Sequence, residues 1–177
     1  MRWILLVGLC LTPAAGLAAG GDSFAPPVKS ETTTSCSGNT VWDAKTRSCV
    51  SSSQSSLGDD QRHEAVRELA YAGAYDRALQ VLASYDNPQD PRALTYQGFI
   101  ARKTGDLDGA MVFYAAALAQ NPDYHPARSY RAQGYLEIGQ RAAAEAELRE
   151  IKARGGRETW AAFSLAQALR SNTGYAY

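Results

Sequence analysis

The chain has 177 residues, enough for one ordinary domain with a core and tails. Lys and Arg together number 18 and so do Asp and Glu, so the formal net charge is zero. That balance argues against nucleic acid as the main partner, because phosphate binding needs a cationic footprint, although it leaves room for a local charged groove.

The chain opens with one basic residue, Arg2, followed by an apolar run at 3–11 (WILLVGLCL). A small-residue exit follows, with Ala14, Ala15, Gly16, Ala18, Ala19, Gly20 and Gly21. This is the pattern of a secretory signal peptide. Gly16-Leu17-Ala18 and Ala18-Ala19-Gly20 both suit a peptidase that needs small side chains before the cut. Residues 1–20 are therefore expected to be removed near 18–21. The alternative is an uncleaved anchor, for which residues 3–19 are short. No stable membrane span is expected after cleavage. Cys10 follows bulky Leu9, where a lipoprotein signal needs a small residue, so Cys10 is assigned to the leader. A periplasmic or secreted protein of a bacterial cell envelope is the expectation.

Residues 21–35 are rich in Pro, Ser and Thr and read as a flexible linker. Residues 51–58 (SSSQSSLG) read as a second, Ser-rich spacer. Between them, residues 36–50 contain the two cysteines that remain after the leader, Cys36 and Cys49. An even pair in an exported chain predicts a disulfide. Closing that loop would constrain the unfolded chain by about 3 kcal/mol. Two thiols without a nearby His cannot fill a tetrahedral metal shell, and the spacing is far from that of a redox C-x-x-C pair. Thr40-Val41-Trp42 and Arg47-Ser48-Cys49-Val50 have strand character, with a turn at residues 43–46. Trp42 packs against its own disulfide or offers a contact to a partner or a cell-wall glycan. Cys36, Gly38, Val41, Trp42, Asp43, Thr46, Cys49 and Val50 resemble a short cysteine module that recurs in exported bacterial proteins.

From residue 59 the composition turns Ala-rich and helical, and one pattern occurs three times. Gly73, Gly105 and Gly139 are 32 and 34 residues apart. Ala78, Ala110 and Ala144 follow each Gly at the same offset, and Leu82, Tyr114 and Leu148 follow each Ala. A second register contains Gly98, Ala132 and Ala166. Each Gly lets a helix end and the chain reverse, the Ala permits close approach of the next helix, and the large residue fills the space between units.

This pattern resembles the tetratricopeptide repeat over residues 59–170, best over 90–122. There Leu94, Gly98, Gly105, Ala110, Tyr114, Ala117 and Pro122 occupy the family's large, small, turn, small, large, small and terminating places. Val66, Tyr85, Arg128 and Ile151 depart from the pattern in the outer units. Residues 157–170 look like the first helix of a fourth unit, serving as a cap. The fold expected is all-α: a right-handed superhelical stack of three helical hairpins plus a C-terminal capping helix. A disordered tether and a small disulfide loop precede it. The helices are expected at 60–72, 75–84, 91–103, 107–120, 125–137, 141–153 and 157–170, with a tail at 171–177.

The resemblance implies a concave groove lined by the first helix of each hairpin. It places Asp60, His63, Arg67, Ala70 and Tyr71 there from the first unit. The second contributes Arg92, Thr95, Phe99, Arg102 and Lys103, and the third Pro126, Ser129, Gln133, Leu136 and Glu137. The partner-binding residues expected are His63, Arg67, Thr95, Phe99, Arg102, Lys103, Ser129 and Gln133. Phe99 is expected to be an exposed aromatic in a cationic surface that suits an acidic segment. The family's carboxylate clamp is not expected, because His63, Arg67, Tyr96, Pro126 and Tyr130 stand at its positions. His63 and His125 lie in different units with no nucleophile or carboxylate at motif spacing, so no catalytic residue, metal or cofactor is expected. The function expected is non-catalytic binding of another protein or peptide. The alternative is an envelope scaffold that self-associates or touches the cell wall through the cysteine loop.

Overall fold

The computed structural model describes residues 32–171. The expected leader, most of the first linker and the end of the tail lie outside the described residues. A two-stranded antiparallel hairpin comes first, β1 (Thr40–Asp43) and β2 (Ser48–Ser51), with Trp42 opposite Cys49. Seven α-helices follow among the described residues: α1 (Asp59–Tyr71), α2 (Tyr75–Leu82), α3 (Pro91–Lys103), α4 (Leu107–Gln120), α5 (His125–Glu137), α6 (Arg141–Ala153) and α7 (Trp160–Ser171). They pack as a stack of hairpins, α1 on α2, α3 on α4 and α5 on α6, with α7 against α5 and α6. The expected start of α7 at 157 is instead a short 3-10 turn, Gly156–Glu158. Thr159 then begins the helix, its hydroxyl accepting from the Ala162 amide. Among the described residues no helix is long and apolar enough to cross a membrane.

The three predicted reversals share one hydrogen-bond pattern. Gly73, Gly105 and Gly139 have φ of 76°, 94° and 74°. The amide after each Gly donates to the carbonyl of Leu69, Ala101 or Tyr135, at 2.9, 2.9 and 2.8 Å. Each Gly amide donates to Ala70, Arg102 or Leu136. These paired bonds satisfy carbonyls that the helix end would leave bare, and the left-handed residue that makes them possible is cheapest as glycine. At the other ends, Asp90 caps α3 by accepting from the Arg92 amide, and Asp106 caps α4 by accepting from Gly109.

Within each hairpin one size rule holds. Ala78, Ala110 and Ala144 are fully buried where the second helix crosses the first. Sixteen residues separate Val66 from Leu82, Gly98 from Tyr114 and Ala132 from Leu148, so the pairs are homologous. The largest partner, Tyr114, faces the smallest, Gly98. A Cβ built on Gly98 would stand 2.7 Å from the Tyr114 ring and 3.1 Å from the Ala110 carbonyl oxygen.

The cysteine hairpin does not hang on a free spacer. Val41 is fully buried in one apolar cluster with Ala65, Val66, Leu69, Ala78 and Val81. Leu57 belongs to the same cluster and Ser52 is buried, so part of the segment expected as a flexible Ser-rich linker at 51–58 is packed. The Ser composition hid this because the partners that satisfy a buried hydroxyl here are distant in sequence. Ser52 finds them in Asn39 at 2.6 Å and Ser84 at 2.9 Å. The Cys36–Cys49 disulfide is formed.

Gly98→Ala should lower stability. The gain in helix propensity is about 1 kcal/mol. The overpacking against Tyr114 and the Ala110 carbonyl costs about 1–3 kcal/mol and should win. A lower urea midpoint with unchanged slope is the expected result, and Gly98→Ala with Tyr114→Leu should recover part of the loss.

Candidate functional site

The first helices α1, α3, α5 and α7 lie side by side, each packed on the next. On one face of this row the side chains of α1 and α5 meet across α3. The Tyr71 and Tyr130 hydroxyls are 2.7 Å apart, and the Tyr96 hydroxyl donates to Tyr71 at 3.2 Å. For residues of α1 and α5 to touch, the row must bend toward this side, so this is the inner face.

Phe99 lies beneath the tyrosines. Its ring is 5.2 Å from Tyr130 and 6.0 Å from both Tyr71 and Tyr96, centroid to centroid. Such tilted and edge-on arrangements add to the apolar area that each ring hides. Phe99 is only 1% exposed, which corrects the expectation of an exposed aromatic. Thr95, Ser129 and Gln133, expected in the groove, are likewise buried where successive helices touch. Thr95 donates to the Pro91 carbonyl, and Ser129 lies 3.4 Å from Ser164 of α7. The physical reason is curvature: a tightly bent row brings first-helix residues into contact with the next helix and takes them from solvent.

The expected cationic character is also reduced. Arg67 pairs with Glu64, Arg92 with Asp60 and Asp90, and Arg102 with Glu137. Arg102 is buried between α3 and α5, reaching Gln133 at 3.5 Å. Burial alone would raise the Asp90 carboxyl, but its hydrogen bonds from Arg92 hold it below the usual carboxylate range. Lys103 remains exposed and forms no ion pair among the described residues; its ammonium sits 5.7 Å from the Phe99 ring centroid. Partial burial and the neighbouring Arg102 lower its pKa.

The residues of the expected groove that reach solvent are therefore Asp60, His63, Arg67 and Tyr71 of α1, Arg92 and Lys103 of α3, and Pro126, Leu136 and Glu137 of α5. His63 packs edge-on to Tyr96, with centroids 5.5 Å apart. Desolvation, reinforced by Arg92 and Arg67, pushes its pKa down to about 4, so it is neutral at physiological pH. On α7, Trp160 and Phe163 form a half-buried pair with ring centroids 5.3 Å apart. Sequence reasoning missed that pair, although Trp160 and Phe163 occupy the same repeat positions as Arg92 and Thr95. Trp42 is half-buried opposite Cys49. His125 is buried against Gly156, far in sequence from His63. Among the described residues no cluster of three or more His, Cys, Asp or Glu could hold a metal ion.

Residues 101–170, from the end of α3 through α7, match the family model described as tetratricopeptide repeat. The segment is thus a tetratricopeptide-repeat segment, and the repeat is an interaction module in its typical use. Searches of the curated proteins and of the solved structures found no match.

Because Phe99 supports three tyrosines, Phe99→Ala should cost about 3–5 kcal/mol of stability, read from denaturant unfolding. The depressed His63 pKa has a defined sign. The unfolded state binds the proton more readily, so His63 contributes stability above pH 6.5 that is lost as pH falls toward 4. Between those values His63→Gln should lose less stability than the unchanged protein, and the imidazole should titrate near 4 by NMR.

Proposed function

We propose that this is a non-catalytic exported protein that binds a segment of another protein on the inner face of its repeat array. The observation that carries the reading is the preformed aromatic platform of Tyr71, Tyr96, Phe99 and Tyr130, with half-buried Tyr71 and His63 at its surface and Lys103 at its edge. Tyr71, locked by the rings beneath it, loses little conformational entropy when a ligand docks, so its exposed apolar area counts toward affinity. The internal pairing of Arg67, Arg92 and Arg102 changes what the ligand must be. Its apolar contact is with the half-buried Tyr71 and His63, which the buried rings of Tyr96, Phe99 and Tyr130 hold from beneath, and one acidic group of the partner meets Lys103. The signal-like residues 1–20 and the Cys36–Cys49 disulfide together support a periplasmic or secreted location, since disulfides persist in oxidising compartments.

A second reading, a scaffold that self-associates, is favoured by the outer face of α4. Val112 is 68% exposed, and Ala115 and Ala119 continue its stripe without a charge. Sedimentation of the purified protein separates the two, because the scaffold associates without any ligand.

Photocrosslinking from position 67, beside the tyrosines, should capture the partner. With that partner, Tyr71→Ala should weaken binding by roughly 1–3 kcal/mol. Lys103→Glu should weaken it more at low salt than at high salt, because exposed charge attraction is screened. Wild-type affinity in both variants would place the site elsewhere.

A further inference from the structure

The cysteine module covers the outer end of the first hairpin with more than apolar contact. Arg77 of α2 donates to three carbonyls of the module, Thr33 at 3.0 Å, Gly38 at 3.1 Å and Thr40 at 3.3 Å. Glu68 of α1 is buried and accepts from the Thr34 amide at 2.6 Å and from the hydroxyls of Thr32 and Thr34 at 3.0 and 3.1 Å. Buried Arg62, also on α1, donates to the Ser52 carbonyl at 3.1 Å. Arg77 and Glu68 thus take these partners from residues 32–40, so the bonds depend on how that segment is folded; Arg62 also pairs with Asp59 and Asp86.

To these contacts the disulfide adds the one covalent tie among the described residues of the module. The hairpin has two strands of four residues each, and an isolated two-stranded hairpin is marginal in water. The segment that bonds Glu68, residues 32–34, leads directly into Cys36. Cys49 lies in β2, opposite Trp42 and next to Val50, which pairs with buried Val41. The disulfide therefore ties the Glu68-binding segment to the strands that carry the Val41 plug. Its two ends differ in access, Cys49 being exposed and Cys36 buried.

We infer that the Cys36–Cys49 disulfide is a redox latch on the first hairpin. Closed, it holds the module over α1 and α2; opened, it releases both helices and with them the Tyr71 bridge across the inner face. A thiolate of a small dithiol attacks the accessible Cys49 sulfur, and the Cys36 thiolate leaves and takes up a proton. The reagent's second thiol then closes its own disulfide and releases Cys49, so two electrons and two protons pass to the protein. The release is local because α1 and α2 meet the remaining helices chiefly at α3. Beyond α3, the Ser129–Ser164 contact joins α5 to α7, and the Arg128–Glu147 pair joins α5 to α6. Opening the latch alters α1, the helix that presents His63, Arg67 and Tyr71. Its bearing on ligand binding rests on the proposed function; the release itself does not.

Hydrogen exchange with mass spectrometry tests the latch without any partner. The full oxidised chain is compared with the same chain in dithiothreitol and with the Cys36→Ser, Cys49→Ser double variant. Amides of α1 and α2 should exchange faster by on the order of 100-fold in both reduced forms, the scale of one closed loop of this length. Amides of α5 to α7 should stay within about twofold. Unchanged protection of α1 and α2 would overturn the inference, and so would an equal loss from α1 to α7. Arg77→Ala keeps the disulfide and removes three seam bonds. It should speed exchange in α2 by about tenfold, and no change there would also count against the seam.

Discussion

A helix of thirteen residues is marginal by itself in water, and every helix in this array hides its apolar face on the next. That constraint sets most of what is seen. It explains why Gly98 stands where Tyr114 is the filler. It also makes the two ends of the array the places where apolar surface needs some other cover. α7 provides it at one end by packing on α5 and α6. At the other end the cover is a β-hairpin, a foreign element that brings Val41 onto the α1–α2 cluster, with Leu57 added by the segment that follows it.

The inner face shows a competition between packing and presentation. Each first helix must touch the next to build the row, and each also has to leave something in solvent if the face is to bind. Here the second unit gives its central positions to packing. Phe99 and Arg102 are buried, and the tyrosines close over them through hydroxyl contacts rather than through apolar area alone. What remains for a ligand is the half-buried Tyr71 and His63, held from beneath by buried rings, with a modest polar rim. Internal pairing of the arginines follows from the same closeness: a buried guanidinium without a carboxylate would be costly, so Glu137 comes to Arg102.

The hairpin at the front gives this arrangement a covalent element. Small β units lack the area to be stable alone. A disulfide supplies the missing constraint, and the ionised groups of α1 and α2 then use the fixed carbonyls and amides of the module as partners. The stability of the first hairpin and the redox state of two cysteines become one quantity.

Much of this was legible in the sequence, for reasons that are local. The recurrence of Gly73, Gly105 and Gly139 determined where helices end, because only a left-handed residue closes the paired bonds to Leu69, Ala101 and Tyr135. The Ala and large-residue offsets determined which faces meet, and Cys36 and Cys49 their own pairing. The curvature was not legible. Whether Phe99 faces water depends on how far α1 and α5 lean over α3, and that depends on distant contacts such as Tyr71 with Tyr130, 59 residues apart. Nor could Ser-rich residues 51–58 announce their packing, since Ser52 is satisfied by Asn39 and Ser84 and Leu57 joins a core cluster built from distant elements. Periodicity reports what a segment can bury; only the tertiary structure decides against what, and how much is left exposed.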